Sequence, residues 1–260
     1  MNFFKSLLFL VSCFISFSLF AQTPGQVEDY LYKSFKQIDN WRYRQDTISN
    51  VDSLEWANAN FKKTLKKFTS EYPFTIDQKF TSLQKDHLEI ASSPDGLFRI
   101  YSWDTWLGGS MHAFDNVFQY KVNNNTISGF TAADSVENGH PSYWYSKLYM
   151  LKVNDKTYYL GVYNSISSEK DAGEGIQVFA MENGKLNGNV KLIKTKSGLR
   201  SKLYYDYEFS SGTDLKVRPS IHFDAASNTI FVPLVAGDGK VIDKYIPYKF
   251  TGQYFEMVKN

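Results

Sequence analysis

Apolar residues recur every three or four positions in two segments near the N-terminus, which predicts two amphipathic helices. The first begins at Thr23 to Gln26, a capping box with Pro24 at the first helical position. The second begins near Asp52 and ends before Pro73. Residues 74–86 fit both a strand period and a helical period. The predicted apolar stripes are Val27, Leu31, Phe35, Ile38 and Trp41 in the first helix, and Leu54, Ala57, Phe61, Leu65 and Phe68 in the second.

From His87 onward the pattern changes to short alternating segments separated by turn residues, which predicts antiparallel strands. Dipeptides such as Asp95-Gly96 and Asn183-Gly184 are strong hairpin signals. Two hairpins in succession recur three times along the chain, so we expect three four-stranded units. These repeat units lie near residues 87–135, 146–195 and 217–260.

The expected fold class is therefore α+β: N-terminal helices, then a mainly antiparallel β-meander domain of about three four-stranded propeller-like units. The helical region covers residues 22–86 and the β-domain covers residues 87–260. Three units are fewer than the roughly four to eight blades of a closed propeller. An open array, a barrel and a sandwich therefore all remain possible, and a β-rich chain can also show such a repeat by chance.

The N-terminal residues predict a secretory signal peptide over residues 1–21. Lys5 precedes an apolar run of about 15 residues, and cleavage is expected between Ala21 and Gln22. The run is shorter than the roughly 20 residues of a spanning helix, so we expect no transmembrane segment after signal removal. The predicted location is secreted or periplasmic. Cys13, the single cysteine, ends a lipobox-like Leu10 to Cys13 and makes a lipid anchor the alternative, which the apolar run beyond Cys13 disfavours.

Composition narrows the class of partner. The chain has 29 Lys and Arg against 27 Asp and Glu, without a block of like charge, so a nucleic-acid partner is not expected. It also has 18 Tyr and 21 Phe. In a β-rich chain such aromatic residues pack across strands, and they can also form stacking platforms for sugars. Composition does not separate these two roles.

The segment from Phe98 to His112, FRIYSWDTWLGGSMH, resembles one that recurs in uncharacterised secreted β-rich proteins of Bacteroidota. The Phe-rich leader that ends in Ala21-Gln22 is similar to leaders of that group. The resemblance implies an exported protein and attaches no activity to it.

Candidate chemistry lies in the loops between the inner strands of each unit, because loops on a rigid scaffold carry function. The first loop offers a candidate ligand site of Asp104, Trp106, His112 and Asp115, in which His112 beside a carboxylate suits general base chemistry. The later loops offer Asp171, Glu174 and Asp238 as candidate metal ligands, whose oxygens suit Ca²⁺. Aspartate and glycine are also ordinary turn formers.

These features favour a non-catalytic ligand-binding or interaction module of the cell envelope, whose partner is an unknown ligand, a glycan or an envelope protein. The alternative is a hydrolase acting on envelope polymers or glycans through Asp104, His112 and Asp115. The sequence contains neither an HExxH nor a GxSxG motif. An interaction protein would use aromatic anchors such as Tyr143 to Tyr145.

Overall fold

A computed structural model describes residues 22–44, 49–123, 125–129, 143–208 and 218–258 of the 260-residue chain. The predicted signal peptide over residues 1–21 and the alternative lipid site at Cys13 lie outside the described residues. Within them, three α-helices precede mainly antiparallel β-sheets, so the α+β class is confirmed. No helix in the described part of the chain is both long and apolar enough to cross a membrane.

The helical region begins as the sequence predicts. Gln26 N–H donates to Thr23 Oγ1 (3.3 Å) and Thr23 N–H donates to Gln26 Oε1 (2.9 Å), which completes the capping box. Both predicted stripes are buried, apart from a half-buried Trp41. The region of residues 74–86, whose pattern fits both a strand and a helix, contains most of a 3₁₀ turn and a short helix. The elements are α1 (Pro24–Arg42), α2 (Ser49–Glu71), a 3₁₀ turn (Pro73–Ile76) and α3 (Thr81–Lys85).

The strands form three sheets. The first contains β1 (Glu89–Ser92), β2 (Phe98–Asp104), β3 (Phe114–Val122) and β4 (Asn125–Gly129). The second contains β5 (Trp144–Val153), β6 (Lys156–Ile166), β7 (Asp171–Glu182), β8 (Lys185–Asn187) and β11 (Lys202–Glu208). The third contains β9 (Ile193–Thr195), β10 (Gly198–Arg200), β12 (His222–Asp224), β13 (Thr229–Val235), β14 (Val241–Phe250) and β15 (Phe255–Met257).

Four consecutive antiparallel strands occur three times among the described residues, as β1 to β4, β5 to β8 and β12 to β15. The second sheet gains β11, which pairs with β7, and the third gains β9, which pairs in parallel with β15. Among the described residues each sheet has edge strands that do not pair with each other, so no sheet closes on itself.

The helices and the sheets pack as successive layers, because alternate residues of a strand point to opposite faces. One face of the first sheet packs on α1 and α2, and its other face packs on the second sheet. The opposite face of the second sheet then packs on the third. On β6, for example, Tyr159 and Tyr163 join the core shared with the first sheet, whereas Leu160 and Val162 join the core shared with the third.

Candidate functional site

Asp104 and His112 form a hydrogen-bonded pair at the end of β2. His112 Nδ1 lies 2.5 Å from Asp104 Oδ2, and the two side chains are 29% and 14% exposed, respectively. The other carboxylate oxygen of Asp104 accepts the backbone N–H of Trp106 at 2.8 Å. The carboxylate therefore orients the imidazole and the chain at Trp106 together, so three of the four residues predicted from the sequence meet.

The loop from Thr105 to Ala113 has a tight, defined shape. Thr105 N–H and Oγ1 both donate to the carbonyl oxygen of Ala113, at 2.8 and 2.7 Å. A Cβ at Gly108 would lie 2.0 Å from the Met111 carbonyl oxygen, so only glycine fits at this position. Trp106 adopts a left-handed backbone conformation with φ of 59°. The bond from Trp106 N–H to Asp104 helps to hold this unfavourable conformation.

Buried Asn58 on α2 fixes the loop to the helical layer. Its Nδ2 donates to the carbonyl oxygen of Thr105 (2.9 Å), and its Oδ1 accepts the indole N–H of Trp103 (3.0 Å). On the other side, His112 N–H donates to the carbonyl oxygen of Ile166 at 3.1 Å, which links the loop to the second sheet. The site therefore sits where three layers meet.

Four half-buried rings lie in succession across this site, and we call them the aromatic row: Trp106, His112, Phe114 and Trp144. Neighbouring ring centroids are 5.7, 6.1 and 4.5 Å apart in that order. Exposed Leu107 and Met111 lie in the same loop. The row joins the first sheet to β5 of the second, and it presents partly accessible ring surface beside a carboxylate.

The Arg42 side chain reaches the aromatic row from the last turn of α1. Its guanidinium carbon lies 3.1 Å from the centroid of the Trp106 ring and 4.9 Å from that of Tyr43, which is 70% exposed. Sequence reasoning missed Arg42 as a site residue, because nothing in the local pattern of α1 indicates which loop its C-terminus approaches. Trp144 was identified only as one of several possible aromatic anchors.

The fourth predicted residue, Asp115, lies on the opposite face of the first sheet. In the strand register Trp103 faces Asp115 and Asp104 faces Phe114, and residues in register share a face. Trp103 belongs to the core beneath the helices, so Asp115 also points toward α2. Its Oδ1 lies 2.8 Å from Lys62 Nζ. Contrary to the expectation of one cluster, Asp115 is separated from the Asp104–His112 pair by the sheet.

The structure does not assemble the three predicted metal ligands into one set. Asp171 accepts a hydrogen bond from Ser168 Oγ at 2.7 Å. Asp238 is 57% exposed, and the backbone N–H of Lys240 lowers its pKa. Glu174 is buried in an ion pair. In the described ranges, no group of three or more His, Cys, Asp or Glu residues is arranged to hold a metal ion.

Glu174 was expected in a loop, and this expectation is wrong because it lies within β7. The glycines on either side suggested a turn, but they have a packing role. A Cβ at Gly173 would lie 1.9 Å from Tyr204 Oη, and a Cβ at Gly175 would lie 2.3 Å from Tyr163 Cζ. The glycines therefore make room for tyrosine rings from the neighbouring strands.

Four donor residues surround the Glu174 carboxylate, and we call this group the Glu174 cluster. Oε2 accepts from Tyr205 Oη (2.6 Å) and from the backbone N–H of Ile221 (2.9 Å), and Oε1 accepts from Ser220 Oγ. Arg218 Nη2 lies 3.3 Å from Oε1. Burial and the adjacent carboxylate raise the pKa of Tyr205. The cluster is saturated with donors, which indicates a structural tie.

The chain was compared with protein-family models, curated proteins and solved structures, and none of them matches it. The geometry of the Asp104–His112 pair and the aromatic row is therefore the basis for a function.

Proposed function

We propose that this chain is an exported, non-catalytic module of the cell envelope that binds a glycan at the aromatic row. The observation that carries the proposal is the succession of four half-buried rings beside the Asp104–His112 pair. The apolar face of a sugar packs against aromatic rings, whose faces are electron-rich. The His112 imidazole and the remaining lone pairs of the Asp104 carboxylate offer hydrogen-bond partners for sugar hydroxyls.

The rigidity of the loop supports binding. Asn58, the Thr105–Ala113 bonds and the bond to Ile166 hold the row before any ligand arrives. A preformed site loses less conformational entropy when it binds, which favours affinity. The three stacked sheets supply the rigid support, and their interpretation as propeller-like units forms part of this proposal.

The alternative, a hydrolase, has weaker support. Hydrolysis of a glycosidic bond generally uses two carboxyl groups that flank the same bond. Asp104 and Asp115 lie on opposite faces of the first sheet, and Asp115 is paired with Lys62. Asp104 still orients His112 as a general base would require. A turnover assay on the same glycans therefore accompanies the binding experiment.

The location follows from residues 1–21, whose pattern supports export through a cleaved signal peptide, with lipid attachment at Cys13 as the less favoured route. Mass spectrometry of the protein purified from its producing cells distinguishes a free N-terminus at Gln22 from a lipid on Cys13. The calcium prediction for Asp171, Glu174 and Asp238 stays a prediction, and binding at the aromatic row does not require it.

The test is thermal melting of the purified protein against a panel of neutral and acidic oligosaccharides, each with and without Ca²⁺ or a chelator. A ligand that binds only the native state raises the melting temperature. We expect a shift with at least one oligosaccharide, and we expect Trp106→Ala and Trp144→Ala each to weaken its affinity by about tenfold or more.

The matched control is Tyr254→Ala, which removes a partly exposed ring beside Lys194 on the third sheet. It should bind like the wild type. The proposal is overturned if no oligosaccharide shifts the melting temperature, or if Tyr254→Ala weakens binding as much as the two tryptophan variants do.

A further inference from the structure

We propose that the aromatic row selects acidic glycans, with Arg42 binding the carboxylate of a uronic acid. This inference rests on the proposed glycan binding and specifies its ligand class. At the end of α1 a cation lies over a ring of the site, and among the described residues it has no acidic partner.

Arg42 is the cation in question. In the described part of the chain its guanidinium contacts the rings of Trp106 and Tyr43 and forms no ion pair. An arginine that stacks on an aromatic ring keeps its N–H donors in the plane of the guanidinium, where they can still bind a carboxylate. The stacking thus fixes the group without consuming its hydrogen-bonding capacity.

Lys62 and Asp104, charged side chains described on the two faces of this part of the first sheet, are already engaged. Lys62 is paired with Asp115 on the far face of the first sheet. Both carboxylate oxygens of Asp104 are bonded, one to the backbone N–H of Trp106 and one to His112. Arg42 is therefore the group at the row that is best placed to attract an anion.

A carboxylate fits this group better than a neutral hydroxyl does. The planar guanidinium presents two parallel N–H groups to the two oxygens of a carboxylate. Such charge-assisted hydrogen bonds are stronger than hydrogen bonds between neutral groups. A sugar ring that packs on one ring of the aromatic row would place its own carboxylate beside the next ring of the row, within reach of Arg42. The ligand class that combines both contacts is a uronic acid in an oligosaccharide.

The experiment measures affinity for matched pairs of ligands by titration calorimetry. The probes are an oligogalacturonate and its fully methyl-esterified form of the same length, together with an oligomannuronate and a neutral oligomannose. We expect the wild type to bind at least one acidic member about tenfold more tightly than its neutral partner. High salt should reduce this preference, because dissolved ions screen the partly exposed ion pair between Arg42 and the ligand carboxylate.

Two variants of Arg42 and one control test the assignment. Arg42→Gln should abolish the preference, because it lowers the affinity for the acidic ligand far more than that for the neutral ligand. Arg42→Lys should retain only part of the preference, because lysine lacks the planar fork. The control is Arg200→Gln, at an exposed residue of β10, which should keep the full preference. Circular dichroism verifies that each variant is folded.

The possible outcomes separate the two proposals. Equal affinity of the wild type for acidic and neutral ligands, or a preference that survives Arg42→Gln, overturns the role of Arg42 and leaves glycan binding intact. Failure of the wild type to bind any oligosaccharide overturns the proposed function and this inference together.

Discussion

The Glu174 carboxylate and the Arg218 guanidinium form a buried ion pair, with Glu174 Oε1 3.3 Å from Arg218 Nη2 and side chains 1% and 7% exposed, respectively. The pair joins β7 of the second sheet to the segment that enters the third sheet at β12. Arg218 Nη2 also donates to Asn164 Oδ1 at 3.0 Å, so the tie reaches β6 as well. The contact between the second and third sheets thus has a polar anchor beside its apolar core.

Removal of one partner of this pair leaves the other charge buried and unpaired. We expect Arg218→Met to lower the free energy of unfolding by about 3 to 5 kcal/mol. Urea denaturation measures the change. The matched control is Lys194→Met, which breaks the exposed ion pair of Lys194 with Glu256 and should lower the free energy of unfolding far less, because solvent screens this pair. Equal losses in the two variants would contradict the structural role of the Glu174 cluster.

The glycines that flank Glu174 give a second prediction. Gly175→Ala should lower the free energy of unfolding by about 1 to 3 kcal/mol, because the added Cβ would overlap the Tyr163 ring and the carbonyl oxygen of Leu203. The control is Gly129→Ala on β4, where an added Cβ meets none of the described residues within 4 Å. Chemical denaturation of both variants measures the difference. An unchanged free energy of unfolding in Gly175→Ala would show that Tyr163 packs elsewhere.

Local signals predicted much of the fold. The capping box at Thr23 and the turn dipeptide at Asn183 act within a few residues, so the sequence alone identifies the helix start and the hairpin. The short strands β9 and β10 escaped prediction, because β9 is defined by its parallel pairing with the distant β15. Three residues provide too short a pattern to reveal such a pairing.

The candidate site, like the fold, could be predicted from the sequence only where its contacts are local. Asp104 ends β2 and His112 lies eight residues later on the loop that follows, so their proximity could be predicted from the chain. The side on which Asp115 lies depends on strand register, and a shift of one residue reverses the face. Arg42 reaches Trp106 only because α1 and α2 pack on the first sheet. Contacts of this kind between layers depend on tertiary packing and leave no local signal.

Buried Tyr101 predicts how stability depends on pH at the alkaline end. Burial raises the pKa of Tyr101 to about 12, and its hydroxyl donates to Gln119 Oε1 at 2.7 Å. An unfolded tyrosine has a pKa of about 10, so the stabilisation is fully present below that pH and is lost as the pH rises toward about 12. The folded protein therefore loses stability through this window by about 1.4 kcal/mol for each pH unit and each such group.

Tyr101→Phe should lessen this alkaline loss. The variant is less stable at neutral pH, because it leaves Gln119 without the hydroxyl, but its free energy of unfolding should fall less steeply above pH 10. Urea denaturation at intervals from pH 8 to about 11.5 measures the slope. A slope as steep as that of the wild type would show that Tyr101 does not contribute to the alkaline loss.

The final prediction concerns the two aspartates that the first sheet separates. Asp104→Ala removes the acceptor of His112 and of the Trp106 N–H, so the aromatic row loses its fixed geometry. We expect the affinity for the oligosaccharide identified by melting to fall by about tenfold, with a loss of unfolding free energy of only about 1 to 2 kcal/mol. His112→Ala should act in the same direction, because it removes a ring of the row.

Asp115→Ala is the control for this comparison, because it removes a carboxylate of β3 on the opposite face of the sheet, where it pairs with Lys62. It should leave oligosaccharide affinity unchanged and lower the stability slightly. If Asp104→Ala instead loses several kcal/mol of stability with no change in affinity, the pair serves packing alone. If Asp115→Ala weakens binding as much as Asp104→Ala, a binding site confined to the face of the aromatic row is contradicted.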